Sequence, residues 1–134
     1  MVNIPNRKKR GFTLIELMIV ISIILILVSI SIPIYTNSVI HSKEAVLKDD
    51  LFTMRSVIDQ YTLDKQKAPQ SLQDLVSAGY LRSIPKDPLT GSADTWQTTS
   101  DDTIMDPNQS QPGITDVHSG ASGVSTEGSA YASW

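Results

Sequence analysis

Residues 7–16 read RKKRGFTLIE, and a long apolar run follows them directly. From Leu17 to Ile40 the chain carries no charged residue and is dominated by Leu, Ile and Val. A membrane-spanning helix needs roughly 20 mostly apolar residues at about 1.5 Å of rise per residue. The sequence therefore predicts a single transmembrane helix. Because basic residues beside a span stay on the cytoplasmic side, the cluster at 7–10 predicts that everything after Ile40 lies outside the cytoplasm.

A lone carboxylate, Glu16, stands at the start of this apolar run. A charge at the centre of a membrane helix costs roughly 2.5–3.5 kcal/mol on insertion scales, and less near an end of the helix. Glu16 is therefore tolerated, but its carboxylate requires a cationic partner. A cut between Gly11 and Phe12 would create an amino group nearby. In an assembly, the amino group of one subunit could then neutralise Glu16 of its neighbour.

The segment resembles the signal of type IV pilins and of type II secretion pseudopilins. In that family a prepilin peptidase cuts after the glycine and methylates the new N-terminus. The resemblance implies cleavage between Gly11 and Phe12, methylation of Phe12, and an intersubunit role for Glu16. It also implies that Pro33 is the helix-loosening proline of the family.

Two other classes of segment explain the apolar run less well. A plain single-pass anchor accounts for the run but not for the string GFTLIE at residues 11–16. An ordinary secretory signal peptide has an apolar region of about 7–15 residues followed by a small-residue cleavage site. The apolar run here is longer, and residues 29–31 form only a poor cleavage site.

Chain length allows one small domain after the span, since the chain has 134 residues. Removing residues 1–11 removes four of eleven basic residues and no acid, which leaves seven basic against fourteen acidic residues. The last basic residue is Lys86, and seven acids lie beyond it from Asp87 onward. Such a surface does not attract nucleic acid phosphates, whereas it attracts divalent cations. The absence of cysteine excludes the C-terminal disulfide that many type IV pilins have.

An amphipathic helix over residues 41–65 is predicted by apolar residues spaced three and four apart. The simplest interpretation is one helix from about Phe12 to about Leu63, which Pro33 kinks or locally melts because it lacks a backbone donor. The stripe spans only about two heptads, so we expect it to pack on the protein's own sheet rather than in a coiled coil. The stripe consists of Leu47, Leu51, Met54, Ile58 and Tyr61. The predicted solvent-exposed faces carry Lys43, Glu44, Lys48, Asp49, Asp50, Arg55 and Asp59.

A short helix is predicted at 72–78, because Ser71 and Asp74 form a Ser-x-x-Asp cap pattern and Gly79 follows as a stop. A connector with two prolines comes next and ends in the stretch PKDP at residues 85–88. This order of elements resembles the G-type major pseudopilins of type II secretion over roughly residues 7–90. The resemblance implies a type IV pilin-like α+β fold, in which a long N-terminal helix packs on a small antiparallel sheet.

The last third of the chain is rich in Ser, Thr, Gly and Asp, and its apolar residues are sparse. We predict disorder in part of residues 99–112, since such a composition buries little apolar surface. The remaining apolar residues are sufficient for a small sheet over the helix stripe. The candidate strands are Asp94 to Thr98, Ile114 to His118 and Ala130 to Trp134.

The same family holds a calcium ion in a C-terminal loop that begins Asp-aliphatic-x-Ser and continues Gly-Ala-Asp-Gly. In the matching stretch, Asp116 and Ser119 fit this pattern, while Ser122 stands in place of the second aspartate. The resemblance thus implies a calcium site at these three residues. Calcium takes about six to eight oxygen ligands, several of them carboxylates, so a further acid would have to complete the site. The alternative is that they are ordinary turn residues. The candidate replacement acids are Asp101, Asp102, Asp106 and Glu127.

No catalytic motif is present in the sequence, so we predict that the protein is not an enzyme. We interpret His41 as an interface residue where the helix leaves the membrane, and His118 as a solvent-facing strand residue. The predicted organisation is a cleaved leader at 1–11, a transmembrane and filament-core half-helix at 12–40, and a periplasmic head at 41–134. Within the head, the C-terminal loop and sheet cover 88–134.

The resemblance implies a subunit of the type II secretion pseudopilus, anchored once in the bacterial inner membrane and polymerising to drive protein export across the outer membrane. Its implied partners are other copies of the chain, minor pseudopilins, the prepilin peptidase, an inner-membrane assembly platform and a cytoplasmic secretion ATPase. The alternatives are a type IV pilus subunit for adhesion or motility and a DNA-uptake pilin. The latter is disfavoured because the chain from Asp87 onward has no basic surface, so we predict no nucleic-acid partner.

Overall fold

A computed structural model describes residues 11–101 and 112–134. Its class is α+β, as predicted, with a long apolar N-terminal helix and a small antiparallel sheet. The elements in chain order are helix α1 (Leu14–Lys65), helix α2 (Leu72–Ser77), strand β1 (Gln97–Ser100), strand β2 (Ile114–His118) and a 3₁₀ turn (Tyr131–Ser133).

The chain divides into two compact units, of which the first ends at Ser38 and the second is Val39–Trp134. The first unit contains the apolar half of α1. The second unit is the head, and it contains the rest of α1 with all later elements. This division lies two residues before the boundary that the sequence predicted at 40.

Helix α1 begins at Leu14, two residues later than predicted. It ends at Lys65, which is the predicted end of the amphipathic segment 41–65 and two residues beyond the estimate of about Leu63. It continues through Pro33 without interruption, so the predicted local melting there is absent. The helix stops where Gln66 adopts a left-handed conformation, with φ of 56°. The side-chain amide of Gln66 donates a hydrogen bond to the carbonyl oxygen of Leu63 at 2.7 Å, which satisfies one of the free carbonyls at the helix end.

The apolar stripe of α1 forms one side of the head's core, which confirms its predicted packing. All five stripe residues are buried, with exposures of 8% or less. Glu44, which we predicted on a solvent-exposed face, is buried as well, with an exposure of 4%. The sequence prediction for Glu44 is therefore wrong, and its carboxylate has partners inside the head. The stripe packs with Leu75, Trp96, Ile114, Val117 and Tyr131.

Helix α2 begins as predicted and ends one residue early, at Ser77. The Asp74 carboxylate accepts hydrogen bonds from the backbone N–H groups of Gln70 and Ser71 at 2.9 and 3.0 Å, so the predicted cap is confirmed. Leu75 turns the helix onto the core and is fully buried. The chain then reverses at Gly79, whose φ of 83° lies in the region that favours glycine.

The sheet has two antiparallel strands, in which Gln97 pairs with His118 and Thr98 with Val117. The prediction of β2 is confirmed residue for residue, whereas β1 lies three residues later at its start than the predicted strand at Asp94. Asp94 instead belongs to a turn, where its N–H binds the Ser92 hydroxyl at 3.1 Å. The register shifts between Thr99 and Ser100, which pair with Asp116 and Ile114.

This irregularity leaves Thr115 without an opposite residue in the strand pairing, although its hydroxyl donates to the carbonyl oxygen of Thr99 at 3.3 Å. It also changes which side chains of β2 point inward. Strict alternation would place Ile114 and Asp116 on one face. With the extra residue, Ile114 and Val117 are the buried pair, at 5% and 0% exposure. The Asp116 side chain therefore does not point into the core, and it can contact charged groups on α1.

The predicted third strand at Ala130 to Trp134 is wrong. Residues 131–133 form a 3₁₀ turn. Within the described residues, the β-type pairing of the segment 130–134 is limited to an isolated bridge between Ala130 and Val124. The tight turn brings the rings of Tyr131 and Trp134 edge to face, with centroids 5.4 Å apart. In a straight strand, Tyr131 and Trp134 would point to opposite faces, because they are three positions apart and side chains alternate between the faces. Of the stretch predicted as partly disordered, residues 102–111 lie outside the described part of the chain.

Candidate functional site

The predicted cleavage point, Gly11–Phe12, lies just before α1 and is open to solvent. The Phe12 side chain is 81% exposed. A Cβ atom added to Gly11 would meet no atom within 4 Å among the described residues. Packing among the described residues therefore gives no steric reason for glycine at that position.

Thr13 caps α1 and lies between the predicted cleavage point and Glu16. Its hydroxyl oxygen accepts a hydrogen bond from the Glu16 backbone N–H at 3.3 Å. This is one half of a Thr-x-x-Glu capping box, a signal present in the sequence that our sequence reasoning missed. The Glu16 carboxylate lies in the first turn, where the helix dipole stabilises negative charge.

Glu16 is exposed, and its carboxylate has no hydrogen-bonding or ionic partner within residues 11–101 and 112–134. In water this costs nothing, but in an apolar environment an unpaired carboxylate is unfavourable. Glu16 thus lies in the first turn of α1, four residues after Phe12, and its intersubunit role stays a prediction.

The hydroxyl groups inside the apolar segment are satisfied within α1 itself. Ser22 donates to the carbonyl oxygen of Met18 at 2.8 Å, and Ser31 donates to that of Leu27 at 3.0 Å. Ser29 makes the equivalent bond to Ile26 at 2.7 Å. Hydroxyls bonded to their own helix do not require water, so these serines are compatible with hydrocarbon or with the interior of a filament.

Among the described residues, the side chains of the apolar segment of α1 are exposed along its length. The helix is long and apolar enough to cross a membrane, and none of its most apolar window is buried. An uncovered apolar surface of this length is not stable in water, so a bilayer or neighbouring subunits must cover it. The exposed side chains include Leu14, Ile15, Leu17, Met18, Ile19, Ile23, Ile24, Leu25, Ile26, Leu27, Ile30, Ile32 and Ile34.

In the head, the buried carboxylate of Glu44 joins α1 to the C-terminal segment. It accepts hydrogen bonds from the Thr126 N–H at 2.8 Å, the Thr126 hydroxyl at 2.5 Å and the Tyr131 hydroxyl at 2.8 Å. His41 lies one turn earlier, with Nδ1 3.8 Å from the carboxylate. The pKa of Glu44 is lowered below 4.5, and the hydrogen bond from the Thr126 hydroxyl is the main cause. Burial acts in the opposite direction. The Thr126 N–H, the Tyr131 hydroxyl and His41 lower the pKa further.

A second polar cluster surrounds Arg55, which the sequence predicted on a solvent-exposed face of the helix. Its Nε donates to Asp116 Oδ1 at 2.6 Å, and one of its terminal nitrogens donates to the carbonyl oxygen of Val117 at 2.9 Å. The same nitrogen donates to the main-chain oxygen of Trp134 at 2.5 Å. Arg55 is therefore a structural residue of the head, and only the fold reveals its partners.

His118 belongs to this cluster and is not the solvent-facing residue that we predicted. Its Nδ1 lies 2.6 Å from the main-chain oxygen of Trp134, and its Nε2 lies 3.4 Å from Asp116 Oδ2. Burial, the largest single effect, raises the pKa of Asp116. The Val117 N–H, the Arg55 guanidinium and His118 together outweigh burial, so the pKa of Asp116 is lowered below 3.8.

Asp87, from the PKDP stretch, forms a third buried link. Its side chain is fully buried, and its Oδ1 accepts from the Leu89 N–H at 2.8 Å, which closes a tight turn. Its Oδ2 accepts from the hydroxyl of Ser119, also fully buried, at 2.5 Å. The connector motif thus holds the end of β2, a function that its sequence alone did not indicate.

The three residues that the resemblance assigns to calcium do not come together as a metal site. Asp116 is paired with Arg55 and His118, Ser119 bonds Asp87, and Ser122 is exposed. No three His, Cys, Asp or Glu side chains within 11–101 and 112–134 form a group that could hold a metal ion. The donors that the described part of the chain offers do not fit calcium.

Of the acids proposed as replacement ligands, the two that the structure describes do not complete the site either. Glu127 pairs with Lys48, whose Nζ lies 3.0 Å from its carboxylate. Asp101 is exposed at the end of the described part of that loop, and Asp102 and Asp106 lie outside the described residues.

A shallow groove of about 350 Å³ lies on the head beside the Arg55 cluster. Phe52 forms one of its walls and is 73% exposed, while Lys48 stacks over the Trp134 ring with Nζ 4.6 Å from the ring centroid. The other lining residues are Leu51 and Arg55. The groove is a modest apolar surface next to the C-terminal segment.

Comparison with known proteins agrees with these features. A family model described as "Prokaryotic N-terminal methylation motif" matches residues 6–32. The type II secretion system core protein G of Klebsiella pneumoniae is 34% identical over 98 residues, which cover 61% of this chain and 70% of that protein. Core protein G of Pseudomonas aeruginosa is 33% identical over 99 residues, or 62% of this chain and 70% of that protein.

The methylation motif, the apolar helix and the α+β head define the class of type IV pilin-like proteins. Within that class, this chain belongs to the family of the type II secretion system core protein G. The type IV major fimbrial protein FimA of Dichelobacter nodosus is also similar, with 35% identity over 101 residues, covering 75% of this chain and 58% of that protein. No solved structure matches the chain.

Proposed function

We propose that this chain is the repeating subunit of a type II secretion pseudopilus. Subunits leave the inner membrane, polymerise through the apolar half of α1, and form a short fibre that pushes folded proteins through a pore in the outer membrane. The observation that carries the proposal is the fully uncovered apolar segment, headed by Glu16 and overlapped by the N-terminal methylation motif. Such a segment suits both a bilayer and a helical filament core, since both cover it with apolar groups.

Processing prepares the subunit for this assembly. A prepilin peptidase removes residues 1–11 and methylates Phe12, and the resulting amino group neutralises Glu16 of a neighbouring subunit. The unpaired carboxylate of Glu16 supports this step, because an apolar filament core stabilises it only if a cation is supplied from another chain. Pro33, as the family's helix-loosening proline, allows the helix to adapt on packing.

The further partners follow from the mechanical role. Minor pseudopilins start the fibre, an inner-membrane platform receives the subunits, and a cytoplasmic ATPase supplies the energy. The proposed role is structural, and it requires no catalytic residue in this chain.

The head lies in the periplasm in this proposal, because the basic cluster 7–10 holds the start of the chain in the cytoplasm. The absence of cysteine makes this easy to test. A cysteine at exposed Ser122 should react with a membrane-impermeant maleimide once the outer membrane is permeabilised, whereas a Ser22→Cys control inside the span should not. Labelling of Ser122→Cys only after inner-membrane lysis would contradict the orientation.

The function is tested by deleting the gene in its own bacterium and measuring exported enzymes in the culture medium. We expect these proteins to accumulate in the periplasm and to return to the medium when the wild-type gene is restored. Normal secretion in the deletion strain would overturn the proposal.

A second candidate is a type IV pilus subunit, which the similarity to the fimbrial protein FimA favours. This candidate predicts loss of surface pili and of twitching motility in the deletion strain, with secretion intact. The two readouts, made on one strain, separate the candidates.

A further inference from the structure

The acceptors around Arg55 are oxygens of the kind that a calcium ion takes. They are the carboxylate of Asp116, the carbonyl oxygen of Val117 and the main-chain oxygen of Trp134, and they lie 2.6, 2.9 and 2.5 Å from the guanidinium nitrogens. Calcium in proteins is held by carboxylate and carbonyl oxygens of this type. Here one side-chain cation already occupies the point at which the three oxygens converge.

We propose that Arg55 takes the place of a metal ion in this chain, so that the C-terminal segment of the head is held without calcium. The guanidinium is planar, permanently charged and carries several donors in fixed directions, which allows one side chain to bind several oxygens. It binds Asp116 and Val117 of β2 and also Trp134, the residue after the 3₁₀ turn, and thereby holds these residues against α1.

Packing of α1 in the core fixes the position of the Arg55 backbone. Met54 and Ile58 lie next to it on α1 and are 0% and 2% exposed, so the backbone that carries the guanidinium is anchored. The ion pair is half-buried, with side-chain exposures of 36% for Arg55 and 39% for Asp116. His118 adds a contact from the same segment, with Nδ1 3.4 Å from the guanidinium.

A divalent cation at Asp116 would compete with this arrangement. It would lie beside a guanidinium that cannot lose its proton, and like charges at such short range repel each other. It would also find no second carboxylate at the position of Ser122, and the Ser119 hydroxyl already donates to Asp87 and accepts from the Ala121 N–H at 3.1 Å. The geometry therefore favours the arginine over the ion.

The test is the thermal unfolding of the full chain in detergent, followed by near-ultraviolet circular dichroism of the head's aromatic residues. The wild-type protein should melt at the same temperature in millimolar calcium and in a chelator. Arg55→Gln should lower the melting temperature by roughly 5–10 °C in both solutions, since charged hydrogen bonds to three oxygens are lost. Arg82→Gln removes an exposed arginine and serves as the matched control, for which we expect no change.

Hydrogen exchange measured by mass spectrometry on the same proteins adds a local readout. In Arg55→Gln, exchange should accelerate in peptides covering 114–134 and stay unchanged in those covering α2. A rise of more than about 2 °C in the wild-type melting temperature on adding calcium would overturn the proposal. The proposal would also be overturned if peptides covering 114–134 exchanged at the wild-type rate in the Arg55→Gln variant.

Discussion

The hydroxyl of Tyr131 donates a hydrogen bond to Oε1 of Glu44 at 2.8 Å, in the interior of the head. The two residues are 87 positions apart in the sequence, and both are less than 9% exposed. Thr126 completes the environment of the carboxylate with its N–H and its hydroxyl. An ionised carboxylate is a better acceptor than a protonated one, so these contacts tie the position of the C-terminal segment to the charge of Glu44.

The first prediction concerns pH. Because the pKa of Glu44 in the folded head is lowered below its ordinary 4.5, the unfolded chain binds a proton more readily than the folded one. The stabilising effect of Glu44 is therefore fully present above pH 4.5 and is lost as the pH falls through its lowered folded value. Melting temperatures of the full chain in detergent, measured from pH 7 to pH 3, should fall steeply below about pH 4.5.

The variant Glu44→Gln isolates this effect from that of other acids. It should melt lower than the wild type at pH 7, because an amide offers one acceptor oxygen where Glu44 offers two. It should also lose less stability between pH 5 and pH 3 than the wild type does. Asp116 titrates in the same direction and remains in both proteins, so equal acid sensitivity of the two would exclude a role for Glu44.

The second prediction concerns processing. Intact-mass analysis of the membrane-extracted protein should find a chain that starts at Phe12 and carries one extra methyl group. Gly11→Leu should leave the head's melting temperature unchanged, since a side chain at Gly11 meets nothing within 4 Å, but should leave the leader uncut. A mature N-terminus after Ser31, or an uncut wild-type chain, would contradict the assignment.

The third prediction separates membrane insertion from assembly. Glu16→Ala should enter the inner membrane normally, because removing a charge at the end of a span favours insertion. It should form few fibres, since the neighbour's amino group then lies unpaired in apolar surroundings. Membrane fractionation and electron microscopy of sheared fibres measure the two steps. Wild-type fibre yield from Glu16→Ala would rule out the pairing.

The control for this experiment is Thr13→Ser, which keeps the hydroxyl that caps α1 and leaves Glu16 in place. We expect it to insert and to assemble as the wild type does. A comparable loss of fibres in Thr13→Ser would attribute the effect to the helix start rather than to the carboxylate.

The fourth prediction concerns the loop after β2. A Cβ atom added to Gly120 would collide with the carbonyl oxygen of Thr95, which belongs to the backbone and cannot move aside cheaply. Gly120→Ala should therefore destabilise the head by about 1–3 kcal/mol, as overpacking does elsewhere. Ser122→Ala, at an exposed position two residues later, should stay within about 0.5 kcal/mol of the wild type. Chemical denaturation of the full chain in detergent measures both, and equal stability of Gly120→Ala and wild type would show that the contact is loose.

Several features of this protein could be predicted from the sequence because they depend on neighbours in the chain. The apolar run to Ile40 and the stripe from Leu47 to Tyr61 have periods that a helix imposes on adjacent residues. The cap at Asp74 and the stop at Gly79 likewise involve residues only a few positions apart. The resemblance rested on such local motifs, and the comparisons support the family to which it pointed.

The strands were harder to predict, because their limits depend on partners elsewhere. The pairing with β2 moved the start of β1 to Gln97, and the irregularity at Thr115 decided that Val117 rather than Asp116 points inward. The expected strand at Ala130 became a 3₁₀ turn, since the contacts of Tyr131 with Glu44 and Trp134 favour a tight bend.

What the sequence determined by itself is the membrane-length helix with Glu16 at its start, the amphipathic stripe and the family. These features follow from local spacing and composition, to which each residue contributes in a fixed way. Only the tertiary structure decided which charged and polar residues hold the head together, namely Glu44 with Thr126, Arg55 with Asp116, and Asp87 with Ser119. These pairs are 82, 61 and 32 positions apart, and the pattern of charges along a chain does not specify which oppositely charged or hydrogen-bonding group a side chain will meet after folding.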